Sequence, residues 1–266
     1  IIYEFPTYPY EKENMKKKVS LKGKCARWLD HTCREQLKKY VDRAIVLTDD
    51  PKELFGMKTI ILKNGIVVED YPVKKPSQEE KIHVLCMGKL QNWHGYDRII
   101  SGAINYLNTH KEECPFVLHI LGEGGALPSL KEQASSAGIG EDVIKFHGFV
   151  VGKELDQIFD KCAFAVESLG LHRLDLKYSS TLKSREYLAR GIPFIYSLDI
   201  PGIDEKCDYC LKVPSDESPV DMEKVLLWYK GLSDDSGVRM REYALQKFTW
   251  EAQFKEMIEK LYKEED

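Results

Sequence analysis

The chain has no apolar run near the roughly 18–20 residues needed to cross a bilayer. Its longest runs, around Ala163–Val166 and Ile192–Tyr196, have the length of buried strands. Positive charge is not in excess: 39 Lys and Arg stand against 43 Asp and Glu, a net charge of −4, which argues against a wholesale nucleic-acid coat. No Gly-x-Gly-x-x-Gly fingerprint follows a strand-like segment, because Gly122-Glu123-Gly124 runs on to Leu127; this weakens a nucleotide-redox reading. The Walker lysine motif is also missing, which argues against a P-loop ATPase. No Asp-x-Asp motif follows a strand, since Asp49-Asp50 precedes Pro51 in a loop. There is no internal repeat, no low-complexity tract and no signal-peptide pattern. The first residue is not Met, and Ile1-Ile2-Tyr3-Glu4-Phe5 reads as a strand entered from something earlier, so a preceding segment is expected.

What is present is ordinary globular material. Hydrophobic residues make up 43% and charged residues 31% of 266 residues, enough for one large or two smaller domains. The seven cysteines are odd in number and scattered, with Cys86, Cys114 and Cys162 in apolar runs. That pattern reads as reduced, cytoplasmic thiols rather than a disulfide framework. Cys207 and Cys210 form the one close pair, and no second pair stands at the spacing of a structural zinc site.

Residues 1–75 read as a mixed segment, with helical character from Trp28 to Tyr40 and β-rich runs at Arg43–Thr48 and Thr59–Leu62. Pro72–Glu80 is charged, proline-flanked and apolar-poor, the best linker candidate. Beyond it, strand-like runs at His83–Met87, Phe116–Leu121, Val143–Phe149, Ala163–Glu167 and Pro193–Tyr196 alternate with helical stretches, and Leu211–Val213 is a candidate sixth strand. The helical stretches are Asp97–Leu107, Leu127–Ala137, Glu154–Lys161 and Thr181–Ala189, with closing helices at Val220–Tyr229 and Phe254–Tyr262. This alternation predicts βαβ units around a parallel sheet, and short apolar strands without alternation predict helices on both faces.

Ligands of open parallel sheets bind beyond the carboxyl ends of the strands. There the sequence places Gly88-Lys89-Leu90-Gln91-Asn92-Trp93-His94-Gly95, Gly122-Glu123-Gly124-Gly125, His147-Gly148-Phe149 and Ser168-Leu169-Gly170-Leu171-His172-Arg173. Glycines allow close backbone approach, and cations meet phosphate oxygens. The most informative stretch is Ser179–Pro193: a polar loop, a helix capped near Ser180 or Thr181, a glycine stop and a buried strand. Its helix N-terminus would present free N–H groups to a diphosphate. Glu186, too deep to be a simple capping acid, could accept a ribose diol.

The pattern Leu182-Lys183-x-x-Glu186-Tyr187-Leu188-Ala189-x-Gly191-x-Pro193 resembles the donor-binding signature of family 4 glycosyltransferases. Gly88-Lys89-Leu90 with His94-Gly95 is similar to that family's diphosphate motif, with Lys and His in place of Arg and Lys. Leu121–Gly124, Phe146–Phe149 and Phe248–Glu251 match the following strand ends and the start of the last helix, so the resemblance covers residues 81–266. Trp93–Arg98 and Leu169–Arg173 resemble a branch associated with capsular and surface polysaccharide synthesis. Upstream, Glu4–Tyr10 and Lys63–Ile66 resemble the second half of the family's N-terminal domain; its first half, with much of the acceptor site, is absent.

The resemblance implies an α/β fold of GT-B type, with a Rossmann-like donor domain at 76–248 and a partial N-terminal α/β domain at 1–75. The C-terminal helix, 249–266, would pack back on the latter. It implies a retaining transfer of a hexose from a nucleoside-diphosphate sugar to a glycan or lipid-linked acceptor, with no cofactor and no obligatory metal. The implied donor-site residues are Lys89, His94, Gly122, Gly124, Phe149, His172, Arg173, Thr181, Leu182, Lys183 and Glu186. The second acid that the family often carries eight residues before its ribose-binding glutamate is Tyr178 here, with Asp175 the nearest acid.

Plainer readings stand beside these. Lys89 could be a surface lysine, His94 a loop histidine stacked on Trp93, and Glu186 a salt-bridge partner of Arg190 four residues on. The glycines could serve turn geometry, Phe149 could be core, and His172 and Arg173 could pack a loop. The charge run Glu11–Lys18 reads as a solvated face, or as a contact for anionic lipid head groups on the inner face of the membrane. A non-catalytic nucleotide-sugar binding module is the rival to the transferase, and a nucleotide-dependent oxidoreductase the third alternative.

Overall fold

The computed structural model of the chain describes residues 1–5, 20–47, 52–110, 114–204 and 206–263, the last without its side chain. The motif residues 6–10, the charge run 11–18 and Asp49-Asp50 lie outside the described residues. Contacts divide the chain into two compact units, Ile1–Gly65 with Trp250–Asp266, and Ile66–Thr249.

The smaller unit holds β1 (Ile2–Phe5), β2 (Arg43–Val46), β3 (Glu53–Leu54) and β4 (Met57–Ile61), in sheet order β1-β2-β4-β3. The first three neighbours in that order run parallel, and β3 folds back on β4 as an antiparallel hairpin. Phe5, Ala44, Val46, Leu54 and Met57 form one core. The other face receives Met257 of the C-terminal helix α8 (Trp250–Lys263), which joins Ile45, Ile60 and Leu62, and Lys63 pairs with Glu256 at 3.1 Å. The helix expected from Trp28 starts earlier: α1 spans Leu21–Cys33, because Ser20 caps it by accepting from the Gly23 N–H. A 3₁₀ segment, Arg34–Lys39, takes up the rest of the expected stretch.

The larger unit is a six-stranded, wholly parallel sheet of order β10-β9-β8-β5-β6-β7. Its strands are β5 (Ile82–Met87), β6 (Phe116–Leu121), β7 (Ile144–Gly148), β8 (Phe164–Val166), β9 (Phe194–Tyr196) and β10 (Cys210–Lys212). Side chains alternate across the sheet. Val84, Cys86, Leu118, Ile120, Phe164 and Val166 enter the core under α2 (Tyr96–Thr109), α3 (Leu127–Ser136) and α6 (Met222–Lys230). Leu85, Leu121, Ala165, Phe194 and Tyr196 enter the opposite core, under α4 (Gly152–Lys161), α5 (Leu182–Arg190) and α7 (Ser236–Lys247). With both faces covered, both sets of strand residues must be apolar, which is why the strands do not alternate in sequence.

Two features depart from the sequence reading. Helix α7 was not expected, because the polar run Ser233–Gly237 reads as a loop and only Ser236, Met240 and Ala244 of the helix are buried. The 72–80 stretch is tied to the larger unit: the Lys74 N–H donates to the Arg190 carbonyl at 2.8 Å, and the Lys75 N–H to Asp160 at 2.9 Å.

Three histidines cross neighbouring strands on one face. His83 Nδ1 lies 2.8 Å from His119 Nε2, and His119 Nδ1 lies 2.9 Å from His147 Nε2, with the rings stacked. Burial holds all three below the ordinary histidine value; Lys145 and Lys161 add to this, Glu79 and Glu154 oppose it, and His119 falls to about 3. These rings are neutral when folded, whereas in the unfolded chain they take protons near pH 6.5. The stability they contribute is therefore complete above about pH 6.5 and is lost as pH falls toward the folded values. The melting temperature is expected to fall by several degrees between pH 7 and 5, and His119→Asn to flatten that slope. A melting temperature constant over this range would contradict the assignment.

Candidate functional site

The sheet changes direction at β5: the chain runs outward through β6 and β7, then returns to the other side of β5 with β8. The carboxyl ends beside such a switch point are where open α/β sheets hold ligands. A cleft of about 630 Å³ opens there, bordered by Met87, Gly88, Lys89, Leu121, Gly122, Glu123, Gly124, Phe149, Val150, Leu155 and Lys183.

The loops after β5, β6 and β7 are laced together to form its wall. The Gly88 N–H donates to the Leu121 carbonyl at 3.1 Å, Leu90 to Glu123 at 2.8 Å, and Gly122 to Gly148 at 2.6 Å. Gly122 and Gly124 have φ of 117° and 151°. A Cβ on Gly122 would stand 1.9 Å from the Gly88 carbonyl oxygen, and one on Gly124 2.1 Å from that of Leu90. Their absent side chains thus serve the approach of two loops, and both residues still line the cleft. Lys89 is exposed at its rim, and Phe149, 73% exposed, is not a core residue.

The opposite part of the site is the start of α5. Thr181 is its N-cap residue, and Gly191 ends it in the left-handed conformation at φ 72°. Lys183 Nζ donates to Ser168 Oγ at 2.9 Å and to the Tyr96 hydroxyl at 3.3 Å, and lies 5.5 Å from the Tyr96 ring centroid. Tyr96 in turn donates to the Met87 carbonyl at 2.6 Å. Burial lowers the Lys183 pKa, and the nearby Glu167 carboxylate works against that fall. The Thr181 hydroxyl donates to Glu167, whose other oxygen accepts from the Ser168 N–H. Leu182 is exposed.

The structure brings Lys89, Gly122, Gly124, Phe149 and Lys183 to the cleft. Thr181 and Leu182 stand at the start of α5, and the remaining candidates, His94, His172, Arg173 and Glu186, are engaged by neighbouring groups. Glu186 accepts from Arg190 Nε at 2.8 Å, and Arg190 also pairs with Asp156 at 2.7 Å. Burial raises the Glu186 pKa while Arg190 lowers it. His94 is buried beside Trp93, its Nδ1 accepting from the Gln91 N–H at 3.2 Å, and burial with the Lys183 charge takes its pKa down to about 3. It is a neutral ring near pH 7. Arg173 meets Asp97 at 2.7 Å and Glu217 at 2.9 Å through its Nε, and His172 meets Glu217 at 2.8 Å. These bonds take the Glu217 carboxyl down to about 2. Arg173 borders a separate hollow of about 350 Å³ with Gln91, Asn92, Asp97 and Ser129. Tyr178, in the position of the expected acid, is half-exposed, and its backbone bridges to Asp199.

Sequence reasoning gave no role to Glu167, Tyr96 or Arg185, and it placed Ser168 at the ligand edge without naming its part. An acid ending an apolar strand at the ligand edge was the available signal for Glu167. Arg185 gave none, because a helical arginine reads as solvated. It is fully buried, 4.7 Å from the Phe248 ring, with Nη1 on Ser184 and no hydrogen-bond partner for Nε or Nη2. Burial takes its pKa down to about 10, against the pull of Glu167.

No protein-family profile and no curated protein sequence matches the chain. Solved structures do match. TarM is similar over 92% of this chain and 48% of its own, at 15% identity and a TM-score of 0.62. The pneumococcal O-GlcNAc transferase GtfA, solved with UDP and GlcNAc, matches over 89% of this chain and 47% of its own, at 15% identity and a TM-score of 0.58. HepE of Anabaena, solved with UDP and glucose, matches over 98% of this chain and 71% of its own, at 12% identity and a TM-score of 0.65. These neighbours are GT-B glycosyltransferases, and the fold of this chain is theirs. The chain spans about half the length of TarM and GtfA. Among the described residues, no helix is long and apolar enough to cross a membrane.

Proposed function

We propose that this chain carries the donor site of a nucleotide-sugar-dependent glycosyltransferase. The observation that carries the reading is Lys183: a half-buried cation in the first turn of α5, lining a cleft at the carboxyl ends of a parallel sheet. A cation there opposes the helix dipole unless an anion shares the site. The Glu167 carboxylate is one such anion in the free chain, and a diphosphate would be a second, with Lys183, Lys89 and the first-turn N–H groups around it. Stabilising the charge on the departing nucleoside diphosphate would be their catalytic share. Phe149 would flank the base. Glu186 would reach the ribose by sharing itself with Arg190. His94, His172 and Arg173 would support the walls of the site.

UDP is the nucleotide to test first, since GtfA and HepE were solved with it. Retention at the anomeric centre, independence of metal, a hexose donor and a glycan or lipid-linked acceptor follow from the resemblance to family 4 and its capsular branch, and are part of the proposal. So is work at the cytoplasmic face of the membrane. By itself this 266-residue chain would bind donor and turn over poorly. The half-exposed Tyr178 in place of an acid favours a second reading, a nucleotide-sugar binding module without catalysis.

A thermal-shift panel of UDP, GDP, ADP, their sugars and NAD, with and without EDTA, tests the reading. A ligand at 100 times its Kd adds about 2.7 kcal/mol, which raises the melting temperature of a chain this size by several degrees. The expected result is a shift with one nucleoside diphosphate, unchanged by EDTA. A shift with NAD alone, or with none of them, would contradict it.

A further inference from the structure

We infer that Glu167 is a positioning residue for the donor diphosphate: it holds the Thr181 hydroxyl away from the N-terminus of α5 and keeps the first-turn N–H groups open to an anion. The inference rests on the donor reading above.

A threonine at an N-cap ordinarily turns its oxygen to accept from the N–H two or three residues on, here Lys183 or Ser184. Thr181 has the extended backbone this needs, with φ −76° and ψ 154°, yet its side chain makes no capping bond. Its hydroxyl donates to Glu167 instead, and although the oxygen keeps its lone pairs, this orientation leaves it without a capping bond to the helix N–H groups. Two other helices carry a side-chain cap, Ser20 accepting from Gly23 and Asp221 from the Lys224 N–H at 3.0 Å, whereas Gly95, Ala126, Val151 and Asp235 supply none. The first turn of α5 lies at the edge of the cleft, with Leu182 exposed, Lys183 half-buried and Ser184 and Arg185 buried, so its free N–H groups are open to water or to an anion.

Two further observations point to an anion as the missing partner. In this turn Arg185 is fully buried and Lys183 half-buried, and Arg185 Nε and Nη2 have no hydrogen-bond partner among the described residues. The charge of the buried Glu167 carboxylate acts on both cations. Glu167 also fixes Ser168 through its N–H, and Ser168 holds Lys183. One carboxylate therefore sets both the open helix end and the perch of the lysine.

Electrostatics alone predicts that removing an acid beside an anion site tightens binding, so the sign of the effect is informative. Titration with UDP and with inorganic pyrophosphate is expected to show Glu167→Ala binding both about tenfold or more weakly. In the Thr181→Val background, which has no hydroxyl to cap the helix, adding Glu167→Ala is expected to cost less than threefold. Tighter binding by Glu167→Ala, or an equal loss in both backgrounds, would overturn the inference. Amide exchange gives an arm that does not depend on the variant folding. In the unmodified chain without ligand, the Lys183 and Ser184 amides are expected to exchange as an uncapped helix end does, and to become protected when UDP or pyrophosphate is added. Protection of both before any ligand is added overturns the inference even where UDP binds. If the unmodified chain binds neither UDP nor pyrophosphate, the donor reading itself fails, and the role given to Glu167 fails with it.

Discussion

Lys183→Met is expected to weaken UDP binding by about 10–150-fold, the equivalent of one hydrogen bond to a charged group at about 1.5–3 kcal/mol. Methionine keeps the length and the contact with the Tyr96 ring, so the loss is chiefly that of the charge. In the free chain Nζ rests on Ser168 and the Tyr96 hydroxyl, two neutral oxygens. Neutral partners repay little of the cost of burying an ammonium, and an incoming phosphate repays more. Calorimetric titration measures the change directly. A loss below threefold would mean that the lysine is structural, held for Glu167 and Tyr96 rather than for a ligand. Folding stability is read separately, because removing one cation from a buried acid carries its own cost.

Gly122→Ala carries the second large effect, and it falls on stability. The new Cβ would stand 1.9 Å from a backbone oxygen, and the residue sits at φ 117°. Backbone strain costs about 1–3 kcal/mol and overpacking a similar amount, so a total of about 3 kcal/mol or more is expected. At this chain length that lowers the melting temperature by roughly 6–12 °C. Gly138→Ala is the control: its φ is 69°, but nothing lies within 4 Å of the added atom. Strain alone should cost it about 1–2 kcal/mol. Equal effects at the two positions would show that the loops after β5 and β6 are not as close as described.

The larger unit was legible from sequence because its strands are short, apolar and punctuated by glycine. Phe116–Leu121 was placed residue for residue, and the helix after Thr181 within one position at each end. Helix α7 was not legible, because it buries little and begins in a polar run. In the site, legibility followed charge near a strand end. Lys89, Gly122, Gly124, Phe149 and Lys183 stand together because the topology gathers strand ends, and that much follows from a βαβ pattern. What sequence could not give was partner choice. Arg173 reads as a free cation until Asp97 and Glu217 are seen beside it. Glu186 is the exception: its pairing with Arg190, one helical turn on, was one of the readings the sequence offered, and the structure shows it. Glu167 was hidden for the opposite reason, since the last residue of an apolar strand reads as a strand end rather than as a hydrogen-bonding hub.

The central claim is that the diphosphate of a nucleotide sits between Lys183 and the loop after β6. A crystal structure of the chain soaked with UDP tests it most directly. The account predicts phosphate oxygens within hydrogen-bond distance of Lys183 Nζ and of the first-turn N–H groups of α5, with the base toward Phe149. A nucleotide bound elsewhere on the chain, with Lys183 still resting on Ser168 and Tyr96, would contradict it.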